Sequence, residues 1–313
     1  MKSPKCLIID IMHDSLFSML KEIGWEPDYQ PSITREQLKQ TLGNYQGLIV
    51  RSKTFIDRDL LGENPTVRFV GRAGAGLDII DLAYLGEKGI HVLHASEGNR
   101  DAVGEYTIGA LLSLMRKLPK ADTEVRNNTW NREGNRGEEL MGKTVAIIGY
   151  GNMGRAFAKR LVSFECNVLA YDKYKTGFSD SVCAEVRMDR VYEETDILSL
   201  HIPLTAETKS LVNEDYLRRF KKKIIIINTA RGEIVPLADL ASLMDEGRVR
   251  GAVLDVLENE KLEKLTTDQR QAFSLLTKRS DVIFTPHIAG WTYESHVKIN
   301  VALVQKIKHL RLV

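Results

Sequence analysis

Several features that mark specialised classes of protein are scarce in this chain of 313 residues. Its three cysteines, Cys6, Cys166 and Cys183, have no metal-ligand spacing, so we expect reduced thiols and no bound metal. The formal net charge is only +2, which predicts no basic face for a nucleic acid. No apolar run reaches membrane-spanning length, and Asp10 interrupts the first one. These absences favour a soluble, cytoplasmic protein that binds neither nucleic acid nor membrane.

The centre of the chain contains the pattern of a strand, a glycine turn, a helix and a second strand. The apolar run from Val145 to Ile148 predicts a buried strand, and Gly149, Gly151 and Gly154 form the pattern G-x-G-x-x-G. These glycines permit a sharp turn, the approach of backbone amides to a pyrophosphate, and close packing of the helix on the strand. The second strand ends on Asp172, whose carboxylate suits two free ribose hydroxyls and repels a 2′-phosphate. The pattern predicts a dinucleotide-binding domain that prefers NAD to NADP.

Strands alternate with helices along the whole chain, which predicts an α/β fold with parallel sheets. Such units begin well before the glycine turn, at strands such as Gly47 to Val50, so a separate N-terminal domain must come first. Further strands are predicted at Ile197 to His201, Ile224 to Asn228, Ala252 to Val256 and Val282 to Phe284. With the two strands of the glycine pattern they make a six-stranded, doubly wound sheet. A final helix from Tyr293 to Leu310 is expected to pack on the N-terminal domain.

Seven further segments stand in order around the glycine pattern, namely IVRSKT (Ile49 to Thr54), GRAGAGLD (Gly71 to Asp78), EGNRDAVGE (Glu97 to Glu105), SLHIPLT (Ser199 to Thr205), INTARG (Ile227 to Gly232), AVLDVLENE (Ala252 to Glu260) and TPHIAG (Thr285 to Gly290). With that pattern they make eight ordered segments that resemble the D-isomer-specific 2-hydroxyacid dehydrogenases over nearly the whole chain. Within this family, GRAGAG preceded by VRSKT is most similar to the phosphoglycerate dehydrogenases.

The resemblance implies two doubly wound parallel-sheet domains. A Rossmann NAD-binding domain at residues 99–287 would be inserted in a flavodoxin-like substrate domain made of residues 1–98 and 288–313. It also implies a homodimer through the NAD-binding domain. Because the sequence stops at Val313, we expect no C-terminal regulatory domain of the kind that some phosphoglycerate dehydrogenases carry, and no serine feedback through one.

Oxidation of a 2-hydroxy acid requires a hydride acceptor, a base for the hydroxyl proton, and a cation for the carboxylate and the developing carbonyl. His287 is the candidate base, Glu260 would hydrogen-bond its other ring nitrogen, and Arg231 offers a planar fork for the oxygens. All three follow strands of one parallel sheet, where ligands bind. Glu258 competes with Glu260 as the acid, and the family pattern selects Glu260 because it lies five positions after Asp255.

The resemblance also assigns the contacts to cofactor and substrate. The cofactor-binding residues would be Gly149, Gly151, Asn152, Met153, Gly154, Asp172, His201, Pro203, Thr229, Ala230, Arg231, Asp255, His287 and Gly290. The substrate-binding residues would be Arg51, Ser52, Arg72, Ala75, Gly76, Arg231 and His287. Backbone amides of the glycine-rich loop would face the substrate carboxylate, and two arginines would suit a phosphate at its far end. His201 has a structural reading as well, and Asp255 has one as a strand-end cap.

The leading hypothesis is an NAD-dependent oxidoreductase that acts on D-3-phosphoglycerate and 3-phosphohydroxypyruvate, the first step of serine biosynthesis. The same chemistry on glyoxylate, hydroxypyruvate or another 2-keto acid is the alternative. A non-catalytic, NAD-sensing protein similar to a corepressor is a third class, disfavoured by the intact Arg231, Glu260 and His287. Between Glu260 and His287 the sequence departs from the family pattern, with a longer, charged segment and an extra helix predicted near Asp268 to Thr277. The preferred direction of reaction and the loop shape over the site stay open.

Overall fold

The computed structural model describes residues 3–312. The chain divides into two compact units. The N-terminal unit consists of the described parts of Met1–Arg100 and Trp291–Val313, and the central unit is Asp101–Gly290. The unit limits therefore fall after residues 100 and 290, where the sequence predicts domain limits after 98 and 287.

The N-terminal unit contains a five-stranded parallel sheet with the strand order β2-β1-β3-β4-β5. Its strands are β1 (Lys5–Ile8), β2 (Glu26–Tyr29), β3 (Gly47–Val50), β4 (Phe69–Arg72) and β5 (His91–His94). Its connecting helices are α1 (Ser15–Glu22), α2 (Arg35–Thr41), α3 (Arg58–Leu61) and α4 (Leu82–Glu87). The order 2-1-3-4-5 is that of a flavodoxin-like doubly wound fold. Separate apolar clusters cover the two faces of the sheet, one around Val70 and the other around Phe69.

The central unit contains a seven-stranded parallel sheet with the order β12-β11-β10-β9-β6-β7-β8. Its strands are β6 (Thr144–Ile148), β7 (Asn167–Tyr171), β8 (Ala184–Glu185), β9 (Ile197–Leu200), β10 (Ile224–Asn228), β11 (Val249–Leu254) and β12 (Val282–Phe284). The helices in this part of the chain are α5 (Ser96–Met115), α6 (Leu118–Arg126), α7 (Asn152–Leu161), α8 (Met188–Glu194), α9 (Glu214–Arg218), α10 (Leu237–Asp245) and α11 (Thr267–Leu276). The first six strands have the order of a Rossmann fold, and β12 extends it by one.

The prediction of six strands in this sheet is wrong by one. The additional strand, β8, has only two half-buried residues at the edge of the sheet and pairs with β7. So short an edge strand has no apolar run to reveal it. The extra helix predicted near Asp268 is confirmed as α11, which begins at Thr266 with a capping box to Gln269.

Burial on both faces explains why the strands read as continuous apolar runs. In β10, Ile224 and Ile226 lie in one apolar cluster, while Ile225 and Ile227 lie in another on the opposite face. Full burial of such a side chain stabilises the fold by about 1.5–3 kcal/mol. Only the last residue, Asn228, is polar, and it lies where β10 reaches the carboxyl edge of the sheet.

The C-terminal helix, α12 (Tyr293–His309), belongs to the N-terminal unit. It begins at Thr292, whose side chain accepts a hydrogen bond from the amide of Ser295. Leu303 and Ile307 pack in the apolar cluster that contains Leu16 of α1. The helix thus packs against the unit on which the sequence predicts it to lie.

Candidate active site

The turn after β10 carries Arg231 and is shaped by a buried asparagine. The side-chain amide of Asn228 donates to the carbonyl of Arg231 at 2.9 Å, and its oxygen accepts from the amide of Ala230 at 3.0 Å. The next residue, Gly232, lies so close to the turn after β11 that a Cβ would be 1.9 Å from the carbonyl oxygen of Leu257. The turns that follow β10 and β11 are therefore packed backbone against backbone.

The two candidate acids after β11 have different partners. Nδ1 of His287 lies 2.8 Å from Oε1 of Glu260, and both side chains are about half exposed. Glu258 instead accepts a hydrogen bond of 2.7 Å from the amide of Leu237 at the start of α10, and burial raises the pKa of its carboxyl group. The structure therefore brings Glu260, not Glu258, to the imidazole.

The loop that carries His287 is fastened by Asp255, which is only 1% exposed. Its carboxylate accepts 2.8 Å hydrogen bonds from the amides of Ile288 and Ala289, and its carbonyl accepts one from the amide of His287. His287 itself has φ = 56°, in the left-handed region that side-chain-bearing residues seldom adopt. Such a conformation persists only where the surroundings impose it, which Asp255 does here.

The glycine turn has the spacing that a pyrophosphate site requires. Gly149 has φ = 92°, and a Cβ there would lie 2.5 Å from the carbonyl oxygen of His201 at the end of β9. A Cβ on Gly154 would lie 2.2 Å from the carbonyl oxygen of Gly149, whereas one on Gly151 would meet open space. Gly151 is also the N-cap of α7 and provides no side-chain cap to its amides. The turn thus fits a dinucleotide whose phosphates approach the start of this helix.

Asp172 follows β7 and is held by backbone amides. One carboxylate oxygen accepts from the amide of Tyr150 at 2.9 Å, and the other from those of Tyr174 and Lys175. A carboxylate has about four lone-pair positions, so capacity remains for a ribose hydroxyl. Lys173 is paired with Glu207 at 2.5 Å. The local positive charge is thereby partly balanced, which suits NAD better than a 2′-phosphate.

Further predicted cofactor residues follow β9 and β10, while Asn152 and Met153 lie on α7 and Gly290 follows β12. Burial lowers the pKa of His201 to about 4, and its Nε2 contacts the hydroxyl of Ser199 at 2.9 Å. Pro203 follows it on the same segment. The Thr229 hydroxyl is buried and, within residues 3–312, has no hydrogen-bond partner. A buried hydroxyl without a partner is costly, so Thr229 fits a site that a ligand completes.

In the N-terminal unit, Arg51 follows β3 and rests on an aromatic ring. Its guanidinium carbon lies 4.1 Å from the centre of the Trp291 ring, whose other neighbour is the edge-on ring of His296. The backbone amides of Arg51 and Ser52 donate to the buried carboxylate of Asp10. This stack holds the arginine near the end of its strand through a cation–π contact.

Arg72 ends β4, one strand along from Arg51, and its side chain folds over its own loop. Its guanidinium donates to the carbonyl of Ala73 at 3.1 Å and fills the space beside Gly74, where a Cβ would be 1.5 Å away. Ala75 and Gly76 continue this loop and are half buried. The predicted substrate residues of the N-terminal unit thus share the carboxyl edge of one sheet.

Reasoning from the sequence missed several residues that shape these turns. Asn228, Thr285 and Tyr106 were not singled out, although the first two stand inside the segments quoted for the resemblance. A polar residue that ends an apolar strand was the available signal for Asn228, whereas nothing in the sequence distinguishes Tyr106 within α5.

Between residues 3 and 312, no cluster of three or more His, Cys, Asp or Glu side chains could hold a metal ion. None of the helices in that same range has the length and apolar character that a bilayer span requires.

Comparison with known proteins identifies the family that the chain resembles. Residues 108–289 match the model of the D-isomer-specific 2-hydroxyacid dehydrogenase NAD-binding domain. A glyoxylate reductase from Thermofilum pendens is 34% identical over 96% of this chain and 89% of its own length. A D-3-phosphoglycerate dehydrogenase from Archaeoglobus fulgidus is 32% identical over 98% of this chain, which spans 57% of that relative.

A solved structure extends the likeness to both units. D-lactate dehydrogenase from Aquifex aeolicus, complexed with NAD and lactic acid, is 27% identical with a TM-score of 0.83, over 98% of this chain and 95% of that one. Two parallel-sheet α/β domains and an NAD-binding site are therefore established for this protein. The chain belongs to the D-isomer-specific 2-hydroxyacid dehydrogenase family.

Proposed function

We propose that this protein is an oxidoreductase that interconverts a small D-2-hydroxy acid and the corresponding 2-keto acid. The observation that carries the proposal is the 2.8 Å contact between Nδ1 of His287 and Glu260, on the same sheet edge that presents Arg231. NAD, when bound, accepts the hydride from the hydroxy acid or returns it to the keto acid. Side chains of the protein remove the hydroxyl proton and bind the oxygens of the substrate.

His287 acts as the base that removes the hydroxyl proton. Because a carboxylate only accepts hydrogen bonds, Nδ1 carries the proton that faces Glu260. Nε2 is then the nitrogen with a free lone pair, and it takes the proton as the hydride leaves. Glu260 fixes this tautomer and stabilises the charged ring that results.

Arg231 binds the substrate carboxylate and the developing carbonyl oxygen. Its guanidinium is planar, permanently charged and suited to two parallel hydrogen bonds. The turn shaped by Asn228 and Gly232 sets its backbone rigidly against the turn that leads to Glu260. The cation and the base thereby act from the ends of β10 and β12, on either side of β11, the strand that leads to Glu260.

For the substrate we propose D-3-phosphoglycerate, which is oxidised to 3-phosphohydroxypyruvate as the first step of serine biosynthesis. Arg51 and Arg72 on adjacent strands would bind the phosphate, and the amides of Ala75 and Gly76 the carboxylate. The relative from Archaeoglobus fulgidus supports this choice by its name. A glyoxylate or hydroxypyruvate reductase is the second candidate, supported by the Thermofilum pendens relative and its greater coverage.

We propose a cytoplasmic homodimer that forms through the NAD-binding domain. Exposed apolar side chains on and after α6 support this arrangement, since Leu118 and Val125 are half exposed and Trp130 is 86% exposed. Light scattering coupled to size-exclusion chromatography measures the mass directly. A dimer is expected, and Trp130→Ser should weaken it, whereas a monomer at micromolar concentration contradicts the proposal.

The activity is tested by following NADH absorbance with 3-phosphohydroxypyruvate, hydroxypyruvate and glyoxylate. Turnover is expected with at least one of these keto acids, and chiral analysis of the product of the first two should give the D isomer. Absence of turnover with all three, together with tight NADH binding, would instead favour the non-catalytic, NAD-sensing class.

A further inference from the structure

A chain of hydrogen bonds runs from helix α5 to the loop that carries His287. The hydroxyl of Tyr106 on α5 contacts the hydroxyl of Thr285, 179 positions later in the sequence. The Thr285 hydroxyl in turn donates to Oδ1 of Asp255 at 2.6 Å. All of these residues belong to the central unit. Tyr106 and Thr285 are not among the residues predicted to bind substrate or cofactor.

The direction of the chain follows from its chemistry. A hydroxyl has one proton, and that of Thr285 is committed to the acceptor Asp255. Tyr106 must therefore donate its own proton to the Thr285 oxygen. Burial raises the pKa of Tyr106 to about 12, so the phenol keeps that proton at any working pH. The hydroxyl of Tyr106 therefore donates to that of Thr285, which donates to the carboxylate of Asp255.

Asp255 in turn accepts hydrogen bonds from the loop that carries His287. Its two carboxylate oxygens accept from Ile288 and Ala289, directly after His287, and its carbonyl accepts from His287. These contacts hold His287 at φ = 56°, which costs free energy unless the surroundings impose it. A rotation of the Asp255 carboxylate would loosen both amides and let the imidazole leave its position beside Glu260.

We propose that Tyr106 is a positioning residue for catalysis, which acts through Thr285 and Asp255 to hold the His287 loop. The inference rests on the proposed role of His287 as the base. Loss of the Tyr106 hydroxyl leaves the Thr285 oxygen without its donor and free to turn from Asp255. The loop then spends part of its time in conformations in which Nε2 of His287 does not face the substrate.

Tyr106→Phe tests this inference because it removes one hydroxyl and no ring. A single neutral hydrogen bond corresponds to about a two- to tenfold change, so we expect kcat to fall by that factor. KM for the keto acid and the Kd for NADH should change less than kcat, because the loop position acts mainly on the proton step. Tyr84→Phe is the matched control, since its hydroxyl contacts Gly62 in the N-terminal unit. It should leave kcat unchanged.

The pH profile separates positioning from general weakening of the fold. Burial raises the pKa of Asp255, the Thr285 hydrogen bond opposes that rise, and the titratable groups beside the carboxyl are His287 and Tyr106. Thr285→Val removes the opposing bond, so Asp255 is protonated, and the loop released, at higher pH than in the wild type. The fall of kcat on the acidic side should therefore begin at higher pH. Thr285→Ser keeps the hydroxyl and should restore the wild-type profile.

Melting temperatures of every variant decide whether a loss of kcat reflects unfolding. Wild-type kcat and acidic limb in Tyr106→Phe would overturn the inference, as would a loss of kcat fully explained by unfolded protein. His287→Ala distinguishes a failure of the role of Tyr106 from a failure of the role of His287. If that variant is inactive while Tyr106→Phe is normal, only this inference fails. If His287→Ala turns over normally, the proposed function of His287 fails instead.

Discussion

The imidazole of His287 in the central unit meets a carboxylate, whereas the guanidinium of Arg51 in the N-terminal unit rests on an aromatic ring. Buried polar side chains fasten the backbone beside both groups. In the central unit, Asn228 pairs with backbone groups of the turn that carries Arg231, and Asp255 accepts from two amides of the loop that carries His287. In the N-terminal unit, Asp10 accepts from the backbone amide of Arg51, while the Arg51 guanidinium lies on Trp291 and donates to the carbonyl of Ile11. A cation–π contact fixes a guanidinium less narrowly than several hydrogen bonds fix a loop.

This difference matches the tasks that we assign to the two units. A proton transfer requires the base to be placed within a fraction of an ångström, and buried hydrogen bonds supply such placement. Recognition of a distal anionic group tolerates some movement of the cation that binds it. We therefore expect changes in the central unit to affect kcat and changes in the N-terminal unit to affect KM.

The largest effect is expected for His287→Ala. Removal of a general base lowers turnover by a factor of about 10² to 10⁴. NADH affinity, measured by fluorescence titration, should be nearly unchanged because the imidazole acts on the substrate proton. Wild-type-like kcat in this variant would contradict the assignment of His287 as the base, and with it the role that we assign to the central unit.

Arg72→Ala should raise KM for 3-phosphohydroxypyruvate by about ten- to a hundredfold, the value of a lost charge-assisted hydrogen bond. Slow turnover of glyoxylate should be almost unaffected, since glyoxylate has no phosphate. Arg68→Ala, four residues earlier on the exposed surface, is the matched control and should change neither constant. Equal losses on both substrates would mean that Arg72 is structural or binds the carboxylate.

Glu260→Gln tests which of the two candidate acids of the central unit is the partner of His287. We expect kcat to fall by about tenfold, because the neutral amide no longer stabilises the charged imidazole. In oxidation of the hydroxy acid, for which His287 must be neutral, the acidic limb of the kcat profile should move to lower pH. Glu258→Gln is the companion variant, and since Glu258 caps α10 it should lower the melting temperature and leave the limb in place. An unmoved profile in Glu260→Gln would contradict the role of Glu260 as the partner of the imidazole.

The smallest effects concern the choice of cofactor. NAD should be preferred to NADP in the ratio of kcat/KM values, because Asp172 repels a 2′-phosphate. Glu207→Gln should raise the relative use of NADP by about two- to fivefold, since it releases Lys173 from an exposed ion pair. Equal efficiency with both cofactors in the wild type would count against the role of Asp172.

The sequence predicts the strands of these two sheets well where burial requires a run of apolar residues, and poorly where no such run is required. Strands Gly47–Val50 and Ile224–Asn228 have the predicted bounds, because strands buried on both faces are continuous apolar runs. Val282–Phe284 is half-buried at the sheet edge, but it is also a continuous apolar run and has the predicted bounds. The edge strand Ala184–Glu185 has no such run and was missed. The contact between Tyr106 and Thr285 joins positions far apart in the chain, so only the folded structure reveals it.

The central claim is that the central unit supplies the chemistry while arginines of the N-terminal unit select the phosphorylated substrate. The most direct test is the ratio of kcat/KM for 3-phosphohydroxypyruvate to that for hydroxypyruvate, which differ only in the phosphate. We predict a ratio of about ten or more in the wild type, which falls towards one in Arg72→Ala. A wild-type ratio of one or less would contradict the claim and identify the protein as a reductase of small, unphosphorylated keto acids.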